Sequence, residues 1–237
     1  MKTEANSAPR RLKDTLYEHF ARIGKATSSP KRLEMLDLLC QGEKSVEELA
    51  LHAQIDCKNA SAHLKVLSAS RLVTARREGK RVFYSVADDS VCDYWLATRT
   101  MAEKRFAEID RVVKCYFDDR ETMVAYDRDV LLGKARRKEI VVLDVRPRSE
   151  YDRAHLPHAR SVPIDELERC IASLPRNKQI VAYCRGPYCV LSHQASTMLR
   201  ERGFDVLRLP DGVLEWQNAG LPLATSSSSS SSSSSKE

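Results

Sequence analysis

The run QIVAYCRGPYCVLSHQASTMLRERGF holds the residue best suited to covalent chemistry, Cys184. A short β-type stretch, 180–183, leads into it, and Val190, Leu191, Ala195, Met198 and Leu199 beyond it recur at helical spacing. A cysteine at the C-terminal end of a strand, on a loop entering a helix, meets backbone N–H groups and the positive end of that helix. Both favour the thiolate, the nucleophilic form of the side chain. Arg185 adds a fixed cation beside it, which suits an anionic sulfur donor. Gly186, Pro187, Tyr188 and Cys189 complete the loop between that strand and the helix. Cys189 leaves two readings open: a second thiol that pairs with Cys184 as a disulfide, or a plain loop thiol. His193 reads as a surface or helix-packing residue and not as a general base.

A second patch is defined by charge. From Lys58 to Arg81 stand seven cations, Lys58, Lys65, Arg71, Arg76, Arg77, Lys80 and Arg81, against the single carboxylate of Glu78, a surplus equal to the whole chain's net charge of +6. The flanking residues say how these cations would be presented. Ser45 with Glu48 forms a capping-box pattern that opens a helix bearing Val46, Leu49 and Ala50. After a short turn, Asp56 can cap a second helix whose apolar face is Ala60, Leu64 and Leu67, leaving Lys58, Asn59, Ser61, His63 and Lys65 towards solvent. That is a helix-turn-helix pattern, in which short polar side chains near the start of the second helix meet base edges and cations meet phosphates. LVTARREGKRVFYSV then reads as a hairpin turning at Gly79, a wing whose Arg76, Arg77, Lys80 and Arg81 would contact phosphates or a minor groove. A further helix from about Val91 to Tyr116 carries Trp95, Ala102, Phe106, Ile109, Val113 and Tyr116 on a face suited to packing against another helix.

At 237 residues, 42% hydrophobic and 30% charged, the chain has the size and composition of a soluble globular protein of two domains. Residues 11–120 read mostly as helix and 139–223 alternate short apolar runs with helical stretches. The expected division is therefore a mainly-α winged helix-turn-helix domain over 1–120 and an α/β domain, a parallel sheet flanked by helices, over 121–223. The connection near 120–138 is charged and partly helical, hence semi-rigid, and the serine-rich residues 224–237 are expected to be a disordered tail. No apolar run approaches the ~20 residues that span a bilayer. The N-terminus lacks the apolar stretch of a secretory signal, so a cytoplasmic location is expected, with no membrane partner. The seven cysteines, at 40, 57, 92, 115, 170, 184 and 189, then count as thiols; an odd number without a Cys-x-x-Cys pair speaks against a disulfide framework or a zinc ribbon.

The order of elements and the phrases HLKVL and RLVTARREGKRVFYSV resemble the ArsR/SmtB family of small winged-helix repressors over roughly residues 12–117. The resemblance implies a repressor that binds a double-stranded DNA operator as a homodimer built on the helix from Val91. Many members of that family sense metals through a Cys-x-Cys pair beside the first motif helix, or through Asp/His clusters on the dimer helix. Here SVEELALH has no cysteine and the dimer helix no histidine, so no metal site is expected. Cys40 and Cys115, at the end of the helix before the motif and near the end of the dimer helix, resemble the two-thiol arrangement of the family's persulfide and redox sensors. Their plainer reading is as buried small apolar residues.

IVVLDVRPRSEYDRAHLPHARSVPI resembles the opening of rhodanese domains, and LPDGVLEWQNAGLPL their closing Gly-x-x-x-Trp and Gly-x-Pro element, so with the cysteine loop the likeness spans nearly all of 138–223. It implies sulfur transfer without a cofactor: Cys184 takes sulfur from a donor such as thiosulfate, holds it as a persulfide and hands it to a thiol or cyanide. The backbone of Arg185, Gly186, Pro187, Tyr188 and Cys189 would cradle the persulfide and the donor's oxygens, with Cys189 either resolving the persulfide into a disulfide or standing as a loop thiol. Asp144 and Arg146 would brace neighbouring strand ends. Ala154 and His158 stand where the family often has glycines, which makes the neighbouring turn less certain. Related phosphatases and arsenate reductases use Cys-x5-Arg; position 190 is Val, and residue 183 is Tyr where a His is expected, which speaks against that chemistry. The whole reads as a repressor with a sulfurtransferase domain, its DNA affinity responding to sulfur or redox state. Alternatives are a regulator whose rhodanese domain binds a partner or small anion without turnover, and a sulfurtransferase that keeps its winged helix for dimerisation alone.

Overall fold

The computed structural model describes residues 7–117 and 127–226. Two units emerge, Met1–Arg99 and Thr100–Glu237, so the division falls inside a helix and ahead of the 120/121 boundary expected from composition. The serine tail lies, from Ser227 onward, outside the described residues.

In the first unit the caps act where the sequence places them. Ser45 Oγ accepts from the Glu48 N–H at 3.2 Å while the Glu48 carboxylate accepts from the Ser45 N–H at 2.7 Å, starting α3 (Val46–His52). Asp56 accepts from the Asn59 N–H at 2.8 Å and starts α4 (Cys57–Ala69). Ala60, Leu64 and Leu67 of α4 are buried together with Leu49 of α3 and with Met35, Leu36 and Leu39 of α2 (Pro30–Cys40). Burying each leucine stabilises by about 2 kcal/mol, so this stripe fixes the rotation of α4 and hence which side chains face outward. The strands β2 (Val73–Glu78) and β3 (Arg81–Val86) form an antiparallel hairpin, and β1 (Lys44–Ser45) adds to β3 to give the order β1-β3-β2. The helix α1 (Ser7–Thr27) precedes them, and α5 (Asp89–Arg105) follows. Trp95 Nε1 donates to Asp37 Oδ1, and the hydroxyls of Thr27 and Tyr94 bond, each at 2.7 Å, tying the start of α5 to this core.

The single helix expected from Val91 to Tyr116 is two. Phe106 has an extended backbone, φ −115° and ψ 97°, and α6 (Ala107–Tyr116) restarts behind it. No glycine or proline stands at the break, so the sequence carries no breaker signal there.

The second unit is built on a parallel sheet in the order β5-β4-β6-β7, from β4 (Ile140–Asp144), β5 (Arg160–Ser161), β6 (Gln179–Tyr183) and β7 (Val206–Arg208). Alternation along β6 feeds two cores: Ile180 and Ala182 join α9 (Leu167–Cys170) and α10 (Val190–Glu201), whereas Val181 and Tyr183 join α7 (Arg128–Arg136) and α11 (Val213–Asn218). Both faces of the sheet are therefore covered, as an all-parallel sheet requires. A short helix, α8 (Arg148–Arg153), follows β4. His158 carries the left-handed backbone, φ +65°, where a glycine would be at ease, and Ala154 is simply extended.

Candidate functional site

The strand order places the chemistry. From the adjacent pair β4 and β6 the chain leaves in opposite directions, to β5 on one edge and β7 on the other, so the C-terminal ends of that pair form the topological switch point where α/β sheets bind ligands. Asp144 and Tyr183 are register partners at those ends, and Cys184 is the next residue. Cys184 is 1% exposed. The loop returns at once: the Cys189 N–H donates to the Gly186 carbonyl at 3.2 Å, Gly186 has the φ of +147° that favours glycine, and Cys189 caps α10. The sulfurs of Cys184 and Cys189 are bonded, with Cα atoms 6.2 Å apart.

Two sets of contacts hold the loop. Arg185 grips Glu150 of α8 with both Nε and Nη2, the latter at 2.8 Å, and the two side chains are 10% and 2% exposed. The cation expected to attract an anionic donor is thus paired with a buried carboxylate supplied from 35 residues upstream. On the other side Gly212 lies so close that a Cβ there would meet the Arg185 carbonyl carbon at 2.6 Å and the Cys184 carbonyl oxygen at 2.7 Å. Of the remaining loop residues, Gly186 is buried, Pro187 and Cys189 are half-buried, and Tyr188 is exposed with its hydroxyl donating to Glu103 Oε1 at 2.6 Å.

Beneath the loop is a buried polar brace. Arg146 donates to both oxygens of Asp144, at 3.0 and 2.7 Å, and to the Ala154 carbonyl at 2.7 Å. The Tyr183 hydroxyl donates to Asp144 at 2.6 Å and accepts the Leu156 N–H at 3.1 Å. Burial first, and then the Asp144 carboxylate, push the Tyr183 phenol well above its ordinary range. Asp144 and Arg146 join strand ends, and Tyr183 and Gly212 are two further residues that the fold brings to the site. The sequence signal for Tyr183 was its position immediately before the cysteine, and for Gly212 its place two residues after a proline at the start of a helix. His193 meets Phe117 edge-on at 5.4 Å, a packing role.

On the first unit, Lys58, Asn59 and Lys65 of α4 are exposed, whereas Ser61 and His63, expected towards solvent, are half-buried. The Asn59 amide is engaged with the cap, donating to Asp56 at 2.7 Å. Along the hairpin Arg77, Lys80 and Arg81 are exposed. Arg76 is already committed: it pairs with Glu43 at 2.8 Å and Glu78 at 2.6 Å and lies over the Phe83 ring. The hydrogen bonds Arg76 donates to Glu43 and then to Glu78 raise its pKa further above an already high value.

The thiol inventory differs from expectation. Cys40 is bonded to Cys92 at the start of α5, with Cα atoms 5.7 Å apart, and not set against Cys115. Cys115 is exposed on α6, and Cys57 and Cys170 are free as well. A separation of 52 residues hid the Cys40 partner; it becomes visible only when α5 is laid on α2. Among the described residues no cluster of His, Cys, Asp or Glu could hold a metal ion, and no helix is long and apolar enough to cross a membrane.

A basic helix-turn-helix with its hairpin, joined to a parallel sheet that presents a cysteine loop, defines a winged-helix regulator with a rhodanese-like domain. Residues 29–75 match the bacterial regulatory protein, arsR family, and 127–219 match the rhodanese-like domain. The chain is 39% identical over 211 residues, 89% of its own length and 92% of the relative's, to the HTH-type transcriptional regulator Rv0324 of Mycobacterium tuberculosis. It belongs to the arsR family of transcriptional regulators, in the form that carries a C-terminal rhodanese-like domain. A sulfurtransferase of Allochromatium vinosum is 28% identical over 90 residues, 38% of this chain and 82% of that one. Among solved structures, a homodimeric winged helix-turn-helix DNA-binding domain from Mycobacterium bovis is 38% identical, with a TM-score of 0.38 over 40% of this chain and 89% of that one.

Proposed function

We propose that this regulator is a cytoplasmic homodimeric repressor that reads a double-stranded operator through α4 and the β2–β3 hairpin, while its second unit takes sulfur from a thiosulfate-type donor onto Cys184. The observation that carries the sulfur reading is the seat of Cys184 beyond β6, at the switch point of the sheet, inside a loop braced from both sides. In the reduced protein the Cys184 thiolate attacks the outer sulfur of thiosulfate. A new S–S bond forms, the bond to the sulfonate sulfur breaks, and its electron pair leaves on sulfite. Exposed Lys58, Lys65, Arg77, Lys80 and Arg81 support the operator reading. The dimer is supported by Leu12, Leu16 and Phe20, spaced four apart along α1 and exposed in the single chain.

Sulfite release from thiosulfate by the reduced protein tests the chemistry, and it should vanish in Cys184→Ser. A sensor module that binds without turnover is the second reading, favoured by one observation: Glu150 neutralises Arg185 inside the loop. Donor binding without sulfite release would select it. Operator affinity measured with and without thiosulfate, for wild type and Cys184→Ser, tests the sensing step; equal affinities throughout would remove it.

A further inference from the structure

We infer that Cys189 discharges the Cys184 persulfide from within, so that the site converts sulfane sulfur to sulfide and is left as a disulfide; this rests on the persulfide reading above. The geometry is specific. The two sulfurs are close enough to bond, their Cα atoms are 6.2 Å apart, and the turn closed by the Cys189 N–H on Gly186 holds Cys189 there. The Ser192 hydroxyl bonds the Cys189 carbonyl at 3.3 Å, Glu150 holds Arg185, and Gly212 backs the Cys184–Arg185 peptide, so the loop is fixed on each side of the pair. Cys189 also takes the N-cap position of the 12-residue α10, which fixes its backbone beside Cys184. Cys184 itself is 1% exposed, whereas Cys189 is its neighbour in the loop and half-buried. An external acceptor has to approach from outside; Cys189 is already within reach of the inner sulfur.

The step balances without an outside oxidant. The Cys189 thiolate attacks Sγ of Cys184, the Sγ–Sγ bond forms, and the bond from Sγ to the outer sulfur breaks with its electron pair leaving on that sulfur. The outer sulfur, protonated from water, departs as hydrosulfide. The two cysteines lose two electrons and the sulfane sulfur gains them. The disulfide is returned to two thiols by exchange with an external dithiol, a small one such as dithiothreitol or a protein dithiol reductant.

The full chain, reduced, freed of reductant and held without oxygen, is given thiosulfate and no other thiol. Wild type should release about one sulfide for each sulfite, and peptide mapping should find Cys184 joined to Cys189. Cys189→Ser should still release sulfite but stop at a persulfide, seen as the added mass of one sulfur atom on the Cys184 peptide, with sulfide reduced at least ~10-fold. Cyanide should then lift that sulfur off as thiocyanate. Sulfite without sulfide from wild type, or equal sulfide from both proteins, overturns the role of Cys189 and leaves the persulfide reading standing. No sulfite from either protein overturns both.

Discussion

Glu150 and Arg185 form a buried ion pair on the cysteine loop, and the second unit should feel its loss. Removing one member of a buried pair strands the other's charge away from water, which costs about 3–5 kcal/mol, whereas replacing both with apolar groups of similar size is often close to neutral. Glu150→Ala is therefore expected to destabilise this unit by about 3 kcal/mol, and Glu150→Leu with Arg185→Met to recover most of that. Trp95 and Trp216 are the two tryptophans, so urea unfolding followed by Trp216 fluorescence in a Trp95→Phe background reads the second unit alone. Equal destabilisation by the single and double variants would show that the pair itself is not the cause. Tyr183 adds a dependence on pH. Its pKa is raised in the folded chain, so the unfolded chain gives up its proton first, near pH ~10. Its contribution is complete below that pH and is lost as pH rises through the folded value. Tyr183→Phe should flatten the alkaline decline in stability of this unit, measured by the same fluorescence; an unchanged decline would assign it to other groups.

At the scale of elements, the helix-turn-helix was the most legible part, because its determinants are local. Ser45 and Glu48, Asp56 and Asn59, and the Ala60, Leu64 and Leu67 stripe all lie within one or two turns of what they fix. The hairpin was legible for the same reason, but not which of its arginines is available: Glu43, the partner of Arg76, lies 33 residues away and is brought there by β1 pairing with β3. That contact separates two adjacent cations. Arg77→Ala and Arg81→Ala should each weaken operator binding and lower the salt slope by about 1, as for loss of one phosphate contact. Arg76→Ala should change the slope by less, since its charge is already compensated by Glu43 and Glu78. Binding isotherms over a series of salt concentrations decide this, and an equal slope change for Arg76 would mean that it leaves its carboxylates for DNA.

For the molecule as a whole, the α/β half and its cysteine loop could be read from strand runs and the residues around Cys184. The partners converging on that loop, Glu150 and Gly212, come from elements that only the sheet order brings together. The end of the first domain was the least legible feature, since the long apolar pattern from Trp95 to Tyr116 hides the break at Phe106. Contacts now put α6 and Phe117 with the second unit. Phe117 is 7% exposed, with the His193 ring edge-on at 5.4 Å and the Arg208 guanidinium 4.2 Å from its ring centre. Burial of a phenylalanine is worth about 2–3 kcal/mol, before the cation contact is added. A fragment beginning at Ala107 should accordingly melt at least ~5 °C above one beginning at residue 121. Phe117→Ala in the longer fragment should erase that difference, whereas truncation of α6 with Phe117 retained should preserve most of it. Equal melting temperatures for the two starting points would place the structural end of the first domain at 120 after all, with Phe117 a bystander on its surface.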